Sequence, residues 1–113
     1  MRPPEDDVLL RDMLDYARKA TAAARSHARE DLERDDLLEA GLERFIEVVG
    51  EAAAKVSDAT RRSLQGVPWR EIIGMRNRLV HGYASVDHDI IWTVAADDLP
   101  ALVAELEKAL DAP

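Results

Sequence analysis

The sequence predicts an all-α protein, a bundle of four main antiparallel helices plus a short helix, on three observations. Apolar residues recur at spacings of three and four along most of the chain, strand-like alternation is nearly absent, and the composition is aliphatic and charged, with 4% aromatic and 34% charged residues. At 113 residues it reads as one domain, residues 1–113, able to bury roughly 65% of the surface its unfolded form exposes.

After a Pro-Pro lead, Leu9, Leu10, Met13, Leu14, Ala17 and Ala20 predict a first helix from about residue 5 to the mid-twenties, with Asp6 or Asp7 as its cap. Residues 21–33 predict a frayed end or loop, because Ser26-His27-Ala28-Arg29-Glu30-Asp31 has few large apolar side chains. The second helix is the clearest: Leu38, Leu42, Phe45, Val49, Ala52 and Val56 form one stripe, with Asp35 or Asp36 as cap. Gly41 and Gly50 within it each cost about 1 kcal/mol relative to alanine. Either another helix or a second subunit approaches the backbone there, or the cost is simply tolerated. Residues 57–67, polar and closed by Gly66, read as a connection that can hold a short helical turn.

Pro68 suits a first helical position and opens a third helix to about His81, with Trp69, Ile72, Ile73, Leu79 and Val80 buried and Arg76 in the middle of that face. Gly82 fits the position just beyond a helix end. Asp87-His88-Asp89-Ile90-Ile91-Trp92 reads as a capped short helix. Asp97-Asp98-Leu99-Pro100 starts a last helix carrying Leu99, Leu102, Val103, Leu106 and Leu110.

The absence of cysteine excludes disulfides and thiolate zinc sites, and no apolar run is long enough to span a membrane or form a signal peptide, so a cytoplasmic location is expected. A formal net charge of −8 argues against non-specific coating of nucleic acid. The average conceals an asymmetry: residues 61–81 hold Arg61, Arg62, Arg70, Arg76 and Arg78 against Glu71 alone, a local balance of +4 that leaves −12 elsewhere. Contact with RNA is expected on that segment.

Within it, Gly74-Met75-Arg76-Asn77-Arg78-Leu79-Val80-His81-Gly82-Tyr83 places a permanent cation, a group that exchanges protons near neutral pH and a modifiable hydroxyl in ten residues. Metal-free RNA cleavage needs such a proton shuttle and such a cation. A helix C-terminus would stabilise an imidazolium at His81, and Arg76 can grip a phosphate with two hydrogen bonds. Positions five apart on a helix differ by about 140°, so the pair converges only if the helix unwinds before His81 or if two chains complete one site across a two-fold axis. The second solution predicts a homodimer.

Arg76, four residues, His81, one residue and Tyr83 resemble the Arg-x4-His-x-Tyr signature of HEPN-domain ribonuclease toxins, specifically the HepT type encoded beside a minimal nucleotidyltransferase antitoxin of the MntA type. The resemblance extends to Val48-Val49-Gly50-Glu51-Ala52-Ala53, to Pro68 through Asn77 and to Asp98-Leu99-Pro100, covering most of residues 5–111. An isolated Arg-x4-His arises often by chance, whereas the extended match is specific. It implies an HEPN-like bundle and a type VII-like toxin–antitoxin system without cofactor or metal. Arg76 and His81 would be the catalytic pair, with RNA such as tRNA or mRNA as substrate. Asn77 would orient the arginine or the phosphate, and Tyr83 would receive AMP from the partner, blocking RNA entry with charge and bulk. Arg78, outside the signature, is assigned substrate steering.

The remaining polar groups have plainer readings. His27 and His88 are expected to face solvent or cap helices, and the aspartates of Asp87-His88-Asp89 to cap a helix start rather than bind metal. Residues 30–36 form an acidic, solvated face, while Arg61 and Arg62 either guide RNA or pair with those acids. The rival function is a non-catalytic helical module that binds and supports a minimal nucleotidyltransferase. The chain is not that enzyme itself, lacking a Gly-Ser followed by a spaced aspartate pair.

Overall fold

The computed structural model describes residues 2–81 and 85–111, with the backbone alone at Arg76, Val80, His81, Ser85, Val86 and Asp111; among the described residues the helical periodicity becomes six α-helices. The first, α1 (Pro4–Arg25), opens on a proline whose missing N–H is not needed in a first turn, and has no side-chain cap. Asp6, expected as that cap, is buried and accepts hydrogen bonds from the Ser57 N–H (3.1 Å), the Ser57 hydroxyl (2.6 Å) and the Thr60 hydroxyl (2.5 Å). These bonds, the Ser57 hydroxyl first, hold its carboxyl below the usual carboxylate range.

The frayed segment expected from residue 21 is ordered. Thr21 and Ala24 continue the buried stripe of α1, and a 3-10 turn, Arg29–Glu33, follows. Leu32, 1% exposed, anchors that turn, and Asp31 accepts from the Ala28 N–H at 2.8 Å. In α2 (Asp36–Lys55) the cap is Asp35, which accepts from the Leu38 N–H at 3.0 Å. Phe45, assigned to the stripe of α2, is only partly buried and leans on Tyr16 at its margin, whereas Ile46 is fully buried.

The connection holds α3 (Asp58–Ser63), capped by Ser57. Then α4 (Trp69–Leu79) leads into β1 (Val80–His81), which pairs antiparallel with β2 (Ser85–Val86), Val80 opposite Val86 and His81 opposite Ser85. Next, α5 (His88–Thr93) is capped by Asp87, as its sequence predicts. The last helix, α6 (Leu99–Asp111), does not start afresh, because Val94–Asp98 bridges the two as π-helix. Pro100 explains this: it has no N–H for the carbonyl of residue 96 and its ring crowds that carbonyl, so the chain widens before it.

Packing is helix on helix. The main contacts are α1 with α2 and α6, and α2 with α4. Leu10 and Met13 of α1, Leu42 and Ile46 of α2, Met75 and Leu79 of α4, and Leu102 and Leu106 of α6 are all nearly inaccessible. Apart from the two-rung ladder the architecture is all-helical, and no helix among the described residues is long and apolar enough to cross a membrane.

Candidate active site

The helix carrying Arg76 is fixed at three points. Trp69 Nε1 donates to the carbonyls of Arg61 (3.2 Å) and Leu64 (3.1 Å), tying the first turn of α4 to α3. Midway, Gly50 of α2 comes so close that a Cβ there would lie 3.2 Å from the Ile72 carbonyl oxygen. At the end, the Leu79 carbonyl accepts from the Asp87 N–H at 3.0 Å.

That last bond corrects the helix expected through His81. In a continuing helix the Leu79 carbonyl would face the amide four residues on. It faces Asp87 instead, and the β-branched Val80 and Val86 pair as strands. His81 therefore lies on β1, two residues past the helix. The chain has thus left the helix before His81, so the separation of about 140° in an unbroken helix does not apply to the pair.

Arg76 stands on α4, but not in the middle of its apolar face. The fully buried residues are Ile72, Met75 and Leu79, and Met75 was not among those assigned from the sequence. At about 100° per residue, position 76 falls on the flank between this stripe and partly buried Ile73. The side chains of Arg76 and His81, and the whole of Gly82 and Tyr83, lie outside the described residues.

Asn77 and Arg78 are exposed on either side of the helix. Asn77 lines a groove of about 380 Å³ between α2 and α4, together with Gly50, Glu51, Ala54, Lys55 and Ile73. Arg78 points the other way, its Nη1 3.9 Å from Asp98. Lys55 is a residue that sequence reasoning missed: it precedes the counted basic segment, and only the packing of α2 on α4 brings it beside Asn77.

The basic segment is also thinner than its charge suggests. Arg61 does not pair with the acids of residues 30–36; its Nη2 donates to the carbonyls of Ala53 (3.2 Å) and Ala54 (2.7 Å), closing the end of α2, and its Nη1 lies 3.9 Å from Asp58. Arg62 and Arg70 remain exposed.

His27 is exposed and caps locally, its Nδ1 2.8 Å from the Ala23 carbonyl oxygen. His88 is not solvent-facing as expected: Nδ1 lies 3.2 Å from Glu33 and Nε2 3.0 Å from Glu39. Only an imidazolium can donate from both nitrogens. The bond to Glu33, then that to Glu39, raises the His88 pKa against the opposing effect of burial. Arg29 joins the same cluster through Glu33 (2.6 Å) and Asp89 (2.5 Å), so part of the acidic face is structural. Among the described residues no group of three or more His, Asp or Glu side chains is placed to hold a metal ion.

The family model described as "Ribonuclease HepT-like" matches residues 13–109. The chain is similar to a protein of Methanocaldococcus jannaschii named "Putative RNase", at 34% identity over 57% of this chain and 59% of the relative. It is similar to another of that name from Caldanaerobacter subterraneus, at 35% identity over 72% of each chain. A third relative, from Thermococcus cleftensis and named "Probable ribonuclease HepT", is 35% identical over 58% of this chain and 59% of its own length. The chain thus spans about three fifths of two of these relatives. No solved structure matches it.

Proposed function

This chain belongs to the HepT-like ribonuclease family, and on that premise we propose that it is a metal-independent RNase toxin of a type VII-like HEPN/minimal nucleotidyltransferase toxin–antitoxin system, acting in the cytoplasm as a single HEPN domain. The catalytic pair is Arg76 and His81. Histidine, which titrates near neutrality, moves a proton between the 2′-hydroxyl, the phosphate and the leaving 5′-oxygen. Arginine holds the developing negative charge on the phosphate oxygens through two parallel hydrogen bonds. Asn77 orients the arginine or the phosphate, and Arg78 steers substrate.

The site is completed across the two-fold axis of a homodimer. A partner nucleotidyltransferase of the MntA type silences the toxin by transferring AMP to Tyr83, two residues from His81, where added charge and bulk obstruct RNA. The observation that carries the reading is the family match over residues 13–109, which includes the whole Arg76-to-Tyr83 signature. The switch from α4 to β1 between Leu79 and Val80 supports it, because His81 is released from the helical register that would point it away from Arg76.

Incubation of the purified protein with total RNA in EDTA, beside Arg76→Ala and His81→Ala, tests it. Each substitution should lower cleavage by about a hundredfold or more. Equal cleavage by all three proteins, or none by the wild type, would sink the proposal. In the second case, wild-type expression tolerated as well as His81→Ala would favour a helical module that only binds the nucleotidyltransferase.

A further inference from the structure

Resting on that ribonuclease reading, we propose that the groove between α2 and α4 seats a nucleotide of the RNA next to the cleaved bond, with the Lys55 ammonium holding its phosphate. Neither Lys55 nor this groove belongs to the Arg-x4-His-x-Tyr signature. The volume of about 380 Å³ lies in the range of pockets that hold small ligands. It adjoins the catalytic stretch, since Ile73 and Asn77, which form the α4 wall, stand three residues before Arg76 and one after it.

The lining has the chemistry of a nucleotide. Gly50, Ala54 and Ile73 offer an apolar surface for the face of a base, and the Asn77 amide has both donors and an acceptor for a base edge or a phosphate. Lys55 is exposed at the last residue of α2, and among the described residues no ion pair engages it. Two other cations among the described residues face carboxylates. Arg44 lies 3.9 Å from Glu47 and 3.8 Å from Glu51, and Arg78 faces Asp98.

Two further features make this end of α2 suitable for an anion. A helix C-terminus ordinarily repels phosphate through its exposed carbonyls. Here the Arg61 guanidinium, which also lies 3.9 Å from Asp58, donates to the carbonyls of Ala53 and Ala54, so two of the carbonyls at this end are satisfied by a cation where Lys55 emerges. Arg44, beside Glu51, offsets the one acid of the lining. Gly50 sets the spacing of the walls, because a side chain there would meet the Ile72 carbonyl.

The test is binding of a labelled single-stranded RNA of about twelve nucleotides to His81→Ala protein, which cannot cleave it, with and without Lys55→Ala, across a salt series. Losing one phosphate contact should weaken binding about fivefold and reduce the magnitude of the slope of log affinity against log salt by about 0.7. Lys55→Arg should restore both. In the otherwise wild-type protein, Lys55→Ala should raise KM for the same RNA by a similar factor and leave kcat within about twofold.

Unchanged affinity, salt slope and KM in a protein that still cleaves would overturn the groove and leave the ribonuclease standing. A loss of affinity accompanied by a change of oligomeric mass in light scattering would overturn it too, assigning the groove to a second copy of the chain. Lys55-dependent binding without cleavage by the wild type would uphold the groove as an RNA seat while sinking the ribonuclease.

Discussion

Gly41 and Gly50 lie on the same helix and differ in what surrounds them. Nothing stands within 4 Å of a Cβ built on Gly41, whereas one on Gly50 meets backbone oxygens of Ile72 at 3.2 Å and Ile73 at 3.7 Å. Gly41→Ala should therefore stabilise the fold by about 1 kcal/mol through helix propensity. Gly50→Ala should lose that gain and about as much again, since a helical carbonyl on a packed neighbour gives way poorly. Urea unfolding of both variants checks the contrast, and equal stabilisation would remove the close approach of α2 and α4. The sequence posed close packing against tolerance for both glycines alike; neighbours decided between them, one way at each.

His88 makes a second case. Its ring faces Glu33 of the 3-10 turn and Glu39 of α2, with Arg29 and Asp89 beside them. Its folded pKa is raised above 6.5, so its contribution is complete below that value and fades as pH rises through the folded pKa. The stability gap between wild type and His88→Gln should be about 1 kcal/mol near pH 5.5 and shrink toward pH 8.5. A gap that grows with pH would show that the bridging imidazolium is not what holds this corner. No periodicity announces such a residue, because its partners lie far along the chain.

At the scale of elements, what the sequence made legible was the regular part. The stripes of α1, α2 and α6 and the caps at Asp35 and Asp87 could be read because each depends on residues within a few positions. The irregular pieces depend on single anchors or on distant bonds: the 3-10 turn on Leu32, the π segment on Pro100, the end of α4 on the Asp87 N–H. Leu32 is 1% exposed despite its polar surroundings in sequence. Leu32→Ala should accordingly cost about 3 kcal/mol, as for a helix-core leucine, measurable as a lowered denaturation midpoint. A cost below about 1 kcal/mol would mean that the turn packs loosely on the bundle.

For the whole molecule, the proposed site draws on two chains, and that is the step a mixing experiment tests. Angular separation alone would require two chains only for a helix through His81, and α4 ends at Leu79. A second chain that covered the flank between the buried stripe and partly buried Ile73 would bring its own residues beside position 76. Mixing Arg76→Ala with His81→Ala separates the cases. If the arginine of one chain works with the histidine of the other, mixed dimers hold one intact and one doubly defective site. Random reassortment then restores about a quarter of wild-type cleavage from two inactive preparations. A site contained in one chain restores none, because every chain in the mixture lacks one member of the pair. The experiment is read beside light scattering, where the dimer should run at twice the 12.6 kDa of the chain. Dimers without recovery would return catalysis to the single chain, with the break between α4 and β1 as the feature that turns His81 toward Arg76.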